Sequence, residues 1–97
     1  MVKIGILGVG TVGASVAKIL EENADIIEAR AGKKILVKSG VVKNLSKDRG
    51  VNIKLSDNPM DVINDPEIDI VVELMGGVEE PYALVKQALE NGKAVVT

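Results

Sequence analysis

Hydrophobic residues along the chain change their spacing several times, and each change marks a boundary. Val2, Ile4, Ile6 and Leu7 form an apolar run broken only by Lys3 and Gly5, the pattern of a buried strand. Beyond a glycine-rich bend, Val12, Val16, Ile19 and Leu20 recur at helical intervals with one face buried. That helix is expected to begin at Thr11 or Val12 and to run through Ile26 and Ile27 to about Ala31, where Gly32 stops it. Arg30, Lys33 and Lys34 gather at its end, as the helix dipole favours.

Residues 35–42 are apolar apart from Lys38, Ser39 and Gly40 and predict a second strand, parallel to the first through the helical crossover. Residues 51–55 predict a short edge strand. Asp57-Asn58-Pro59 reads as a cap with proline at the first helical position, and Met60, Val62 and Ile63 lie in a short helix that Pro66 closes. Residues 68–75 predict a strand buried on both faces, because Ile70-Val71-Val72 is continuously apolar. The last helix has Glu79, Glu80 and Pro81 near its start, Ala83, Leu84, Val85, Ala88 and Leu89 on its apolar side, and Asn91-Gly92 at its end. Residues 93–97 return to a strand.

The bend after the first strand reads Gly8-x-Gly10-x-x-Gly13, and a dinucleotide fingerprint requires this strand-to-helix context. Gly8 allows a sharp turn off the strand, Gly10 lets backbone N–H groups approach a pyrophosphate, and Gly13 lets helix and sheet pack closely. The phosphates would sit at the helix N-terminus, where N–H groups and the dipole favour an anion and where Thr11 can add a hydroxyl. The alternative is a glycine-rich turn that binds nothing; the flanking strand and helix favour the nucleotide.

An NAD-specific site places an acidic side chain near the end of the second strand, but Lys43 and Asn44 stand there. A cation suits a 2′-phosphate, and Lys47 and Arg49 are near, so NADP is expected to be accepted at least as well as NAD. Plain surface charge is the alternative for these three cations. Gly76-Gly77 falls at the expected ligand crevice and is either a close approach to cofactor or a tight turn. Glu73 reads more simply as a loop anchor than as a chemical group. Asp61, Asp65, Glu67 and Asp69 lack the spacing of a calcium loop and read as capping and turn residues. Tyr82, the only aromatic residue, reads as packing.

The element order predicts an α/β fold: a Rossmann-type doubly wound parallel sheet, incomplete, holding the first half and the start of the second. Its strands would lie in the order third, second, first, fourth, fifth. Residues 1–97 are expected to form one NAD(P)-binding domain fragment of a longer protein, with a substrate domain elsewhere. The last strand would be an unfinished edge whose apolar surface favours the remaining protein or a homo-oligomeric partner.

A net charge of −2 and a single aromatic argue against nucleic acid as a partner. With no cysteine and no histidine, disulfides, thiolate or imidazole metal sites and imidazole bases are excluded within these residues. No apolar run approaches the ~18 residues of a membrane span, and the first residues lack a signal-peptide layout, so a cytoplasmic location is expected.

Three segments together are far more specific than the glycines alone. Residues 3–13 (KIGILGVGTVG), 69–77 (DIVVELMGG) and 88–97 (ALENGKAVVT) resemble homoserine dehydrogenase. The resemblance covers the whole chain but only the nucleotide-binding part of that family. It implies reversible hydride transfer between NAD(P)H and L-aspartate 4-semialdehyde, giving L-homoserine on the route to threonine, methionine and isoleucine. By matching position, Gly8, Gly10, Thr11, Val12 and Gly13 would contact the pyrophosphate and its neighbouring ribose, Lys43 the 2′-phosphate, and Gly76, Gly77 and Thr97 the nicotinamide side. Lys43 replaces what is commonly arginine, which removes bidentate phosphate binding. The family's catalytic lysine and acids lie beyond Thr97, so no catalytic residue is expected within this chain, nor any turnover by it alone. Two other readings share the glycine loop: a non-catalytic nucleotide-binding or redox-sensing module, and another dehydrogenase of the aspartate dehydrogenase or dihydrodipicolinate reductase type.

Overall fold

A computed structural model describes residues 1–43, 45, 50, 53–75 and 79–97, with the backbone alone at Thr11, Glu79 and Glu80. Five strands and four helices follow the chain as β1 (Val2–Leu7), α1 (Thr11–Glu22), α2 (Ala24–Ala31), β2 (Ile35–Val41), β3 (Lys54–Ser56), α3 (Met60–Ile63), β4 (Ile70–Glu73), α4 (Glu79–Glu90) and β5 (Ala94–Val96). The strands form one sheet in the order β3-β2-β1-β4-β5, every pair parallel. This is the doubly wound order expected from the sequence.

Alternation along the strands splits the core in two. Ile4 and Ile6 of β1 join Val9, Ala17, Val37 and Val42 under α1, while Leu7 joins Val41, Val62, Ile63, Ile68, Val71 and Ala88 under α3 and α4. Successive side chains of a strand point to opposite faces, so a sheet covered on both sides needs apolar residues at consecutive positions. β1 meets that demand, and Ile6 and Leu7 are both fully buried.

The first helical stretch differs from expectation: it is two helices that part at Asn23. The Asn23 side-chain amide donates to the carbonyl of Ile19 at 2.9 Å, as does the Asn23 backbone N–H at 3.0 Å, and its φ/ψ of −107°/17° leaves the helical region. An asparagine that takes over a carbonyl of the preceding turn competes with the ladder. β3 also lies later than expected, at Lys54–Ser56, and residues 51–52 fall outside the described set. The expected cap before α3 is present: directly ahead of Pro59, Asn58 Oδ1 accepts the Met60 N–H at 3.0 Å.

The amino ends of the strands are tied by charge. The β1–β2 register shifts between Ile4, opposite Val37, and Gly5, opposite Ser39, leaving Lys38 as the extra residue of a bulge. Bulges re-aim side chains, and Lys38 Nζ reaches Asp65 at 2.5 Å and Glu67 at 3.4 Å, while Lys3 Nζ reaches Glu67 at 2.5 Å. At the end of α4, Gly92 (φ 80°) donates to Leu89 and Lys93 N–H to Ala88, a Schellman closure. It turns Lys93 inward. Only 8% exposed, Lys93 gives its ammonium to the carbonyls of Asp65 (2.5 Å) and Ile68 (2.7 Å).

Lys93→Met should remove this donor from the Ile68 carbonyl, leave the Asp65 carbonyl only the Ile68 N–H at 3.2 Å, and cost about 1–3 kcal/mol, read as a lower urea midpoint. The ion pairs predict a pH profile. The Lys38 hydrogen bond, aided by the Glu67 N–H, holds Asp65 below its ordinary 3.8, and Lys3 followed by Lys38 holds Glu67 below 4.5. Both contributions are present above those ordinary values and vanish as pH falls through the lowered folded ones. The bond to Asp65 raises Lys38 above 10.5, so its share is complete below that value and is lost as pH climbs through the raised one. Asp65→Asn should therefore flatten the acid limb of stability against pH.

Candidate functional site: the crevice at the carboxyl ends of the strands

β1 ends in a bend that its neighbours hold from both sides. Gly8 and Val9 both donate to the carbonyl of Val41, at 3.0 and 2.9 Å, and Leu74 N–H donates back to Leu7 at 2.9 Å. Gly8 has φ +96°, which L side chains rarely adopt, and a Cβ there would stand 3.1 Å from backbone atoms of Leu74 and Met75. At Gly13 the constraint is contact, since a Cβ would run into the carbonyl oxygen of Gly8. Helix α1 can therefore start directly under the strand end only because residue 13 has no side chain.

Gly10 is different. It is the cap of α1 in an extended conformation, and a Cβ added there would meet nothing within 4 Å. The first turn of α1 carries no acidic residue and no side chain caps it. The first N–H groups of a helix have no partner inside it, so the positive end of α1 opens onto free space above Gly10.

That space is the floor of a cleft of about 300 Å³. Gly8, Val9 and Gly10 line it from the bend, Val41, Val42 and Lys43 from the end of β2, Asp57 and Pro59 from beyond β3, and Leu74 and Met75 from beyond β4. Of the residues singled out in the sequence, the structure brings together Gly8, Gly10 and the exposed Lys43. Gly13 lies beneath them as a packing residue, and Val12 is 63% exposed on the first turn of α1 without lining the cleft. Of Thr11 only the backbone, within the first turn of α1, is described. Thr97 follows β5, one residue beyond the Val72–Val96 pair, and is exposed outside the cleft lining. Gly76 and Gly77, and likewise Asn44, Lys47 and Arg49, lie outside the described residues.

Glu73 anchors its loop as expected: its Oε1 accepts the Met75 N–H at 2.7 Å, turning the chain after β4 towards Gly8. Asp57 is the charged lining residue that sequence reasoning missed, beside the apolar Val9, Val41, Val42, Pro59, Leu74 and Met75. Its signal lay in the strand end: with β3 at Lys54–Ser56, Asp57 is the first residue past the strand, where doubly wound folds bind ligands. No group of three or more metal-ligating side chains occurs among the described residues, and no helix among them is long and apolar enough to cross a membrane.

A parallel sheet with helices on both faces, a glycine bend under a helix N-terminus and a crevice beside it define a dinucleotide-binding α/β domain. Residues 8–97 match the family described as homoserine dehydrogenase, NAD binding domain. A homoserine dehydrogenase of Helicobacter pylori is 52% identical over 94 residues, covering 97% of this chain and 22% of that protein. The crystal structure of a homoserine dehydrogenase from Thiobacillus denitrificans superposes with a TM-score of 0.91 at 48% identity, over 97% of this chain and 22% of that one. That of Staphylococcus aureus gives 0.89 at 39% identity, over 97% and 25%. The chain belongs to the homoserine dehydrogenase family and corresponds to its NAD-binding domain. It spans about a fifth of the length of the curated relatives it matches.

Gly10 and Gly13 should separate by experiment. Gly13→Ala is expected to destabilise the fold by about 1–3 kcal/mol through overpacking against Gly8. Gly10→Ala should stay within about 1 kcal/mol of the parent, because its methyl enters open space. Urea unfolding of the two variants checks the contrast.

Proposed function

We propose that this chain is the cofactor-holding part of a homoserine dehydrogenase that interconverts L-homoserine and L-aspartate 4-semialdehyde. The observation that carries the reading is the open cradle above Gly10: the two flanking glycines are closed off by the protein's own atoms, while this one faces empty space at the positive end of α1. The backbone of Gly10, Thr11, Val12 and Gly13 would receive a pyrophosphate there, with compensation from the helix dipole. Lys43, at the end of β2, is a point charge suited to a 2′-phosphate, so NADP binds at least as well as NAD. Gly76, Gly77 and Thr97 would border the nicotinamide side. When bound, the nicotinamide supplies the hydride acceptor for alcohol oxidation and the donor for the reverse reaction.

The described residues offer this reaction binding and orientation. The cleft is lined by glycine and aliphatic groups apart from Lys43 and Asp57, and no imidazole or thiol exists in the chain to exchange a proton with substrate. Substrate contacts, proton transfer and any subunit assembly are assigned to a separate domain of the longer protein, in the homo-oligomer.

Calorimetric titration with NADP and NAD tests the reading. Saturable binding of NADP is expected, with roughly 10- to 100-fold loss in Gly10→Ala despite its retained stability. Absence of binding by either dinucleotide at millimolar concentration would overturn the assignment, and tight NAD binding without NADP binding would overturn the 2′-phosphate role of Lys43. The chain alone should form no NADPH from NADP and L-homoserine.

A further inference from the structure

Residues 57–73 carry six carboxylates, and five are engaged. Asp61 accepts the Ser56 hydroxyl, Asp65 and Glu67 hold lysine ammonium groups, Asp69 accepts the Lys3 backbone N–H, and Glu73 accepts that of Met75. Asp57 is exposed and makes no hydrogen bond or ion pair with the described residues. It is also the one among the six that lines the cleft, where Lys43 is the other charged side chain among the described lining residues.

The sheet fixes how these two charges stand. Val41 pairs with Ser56, and Val42 N–H donates to the Ser56 carbonyl at 2.8 Å, so β2 and β3 end side by side. Adjacent strands lie ~4.8 Å apart; Lys43 and Asp57 therefore approach a ligand from neighbouring strand ends. A ribose in such a crevice presents hydroxyl donors that call for an acceptor, and among the described residues past the end of β2 the charged group is a cation, Lys43.

We propose that Asp57 is that acceptor and determines cofactor specificity. Its carboxylate accepts a hydrogen bond from the adenosine ribose hydroxyls of an unphosphorylated dinucleotide and repels a 2′-phosphate, so Asp57 and Lys43 pull the NADP-to-NAD preference in opposite directions. The inference rests on the reading of this cleft as the dinucleotide site.

Two substitutions at one position separate the two effects. Asp57→Asn removes the charge but keeps an acceptor, and should tighten NADP roughly 3- to 10-fold while leaving NAD nearly unchanged. Asp57→Ala removes both, and should add a roughly 3- to 10-fold loss of NAD affinity. In ~1 M salt the NADP gain of Asp57→Asn should shrink, because repulsion between exposed charges is screened. Lys43→Ala should move the NADP-to-NAD ratio the other way. If the parent chain binds dinucleotide but the ratio is unchanged in both Asp57 variants, Asp57 has no such role and the cofactor reading stands. If the parent binds neither dinucleotide, both fall together.

Discussion

A strand that must satisfy two parallel neighbours imposes most of this architecture. Parallel partners cannot be joined by a tight turn, so each pairing of β1 draws a helical connection across a face of the sheet. β2 lies on one side of β1 and β4 on the other, with α1 and α2 packed on one face and α3 and α4 on the opposite one. The chain consequently leaves the carboxyl end of β1 between two diverging connections, and the gap there is the kind of crevice in which open α/β sheets bind ligands. Burial of Ile6 and Leu7 on opposite faces supplies the hydrophobic free energy that keeps this arrangement in place.

The two ends of the sheet are chemically unlike. At the amino end, Lys3, Lys38 and Lys93 meet Asp65, Glu67 and the carbonyls of the turn before β4, so charges and polar backbone satisfy one another. At the carboxyl end, the first turn of α1 is left uncapped by side chains, and Lys43 and Asp57 face open space. Among the described residues, the ion pairs are concentrated at the amino ends of the strands. The cleft end is held by hydrogen bonds from loop N–H groups to Val41, Leu7 and Glu73.

The parts legible in the sequence are those whose signal is local. Apolar runs marked β1, β2 and β4, the glycine spacing marked the bend, and Asn91-Gly92 marked the end of α4. What was missed depends on partners distant along the chain. Asn23 breaks a helix that its hydrophobic period would carry onward, because one side chain competes for the Ile19 carbonyl. β3 is placed by pairing with Ser39, Gly40 and Val41 and not by its own apolar residues, which is why it starts three residues late and why Asp57 falls just past its end. Lys38 falls inside the strand expected over residues 35–42 and Lys93 at the start of the one expected over 93–97; a bulge and a Schellman turn, neither visible from composition, aim their ammonium groups at Asp65, Glu67 and Ile68.

The central position of β1 also sets an order of events during synthesis. It is made before both of its neighbours, and the second of them begins only at Ile70. At ~5–20 residues per second, a ribosome needs several seconds to supply that partner. Throughout that interval a nascent chain carries Ile4, Ile6 and Leu7 with one flank unpaired, so the segment that later anchors the sheet is the one most in need of shielding by a chaperone as it emerges.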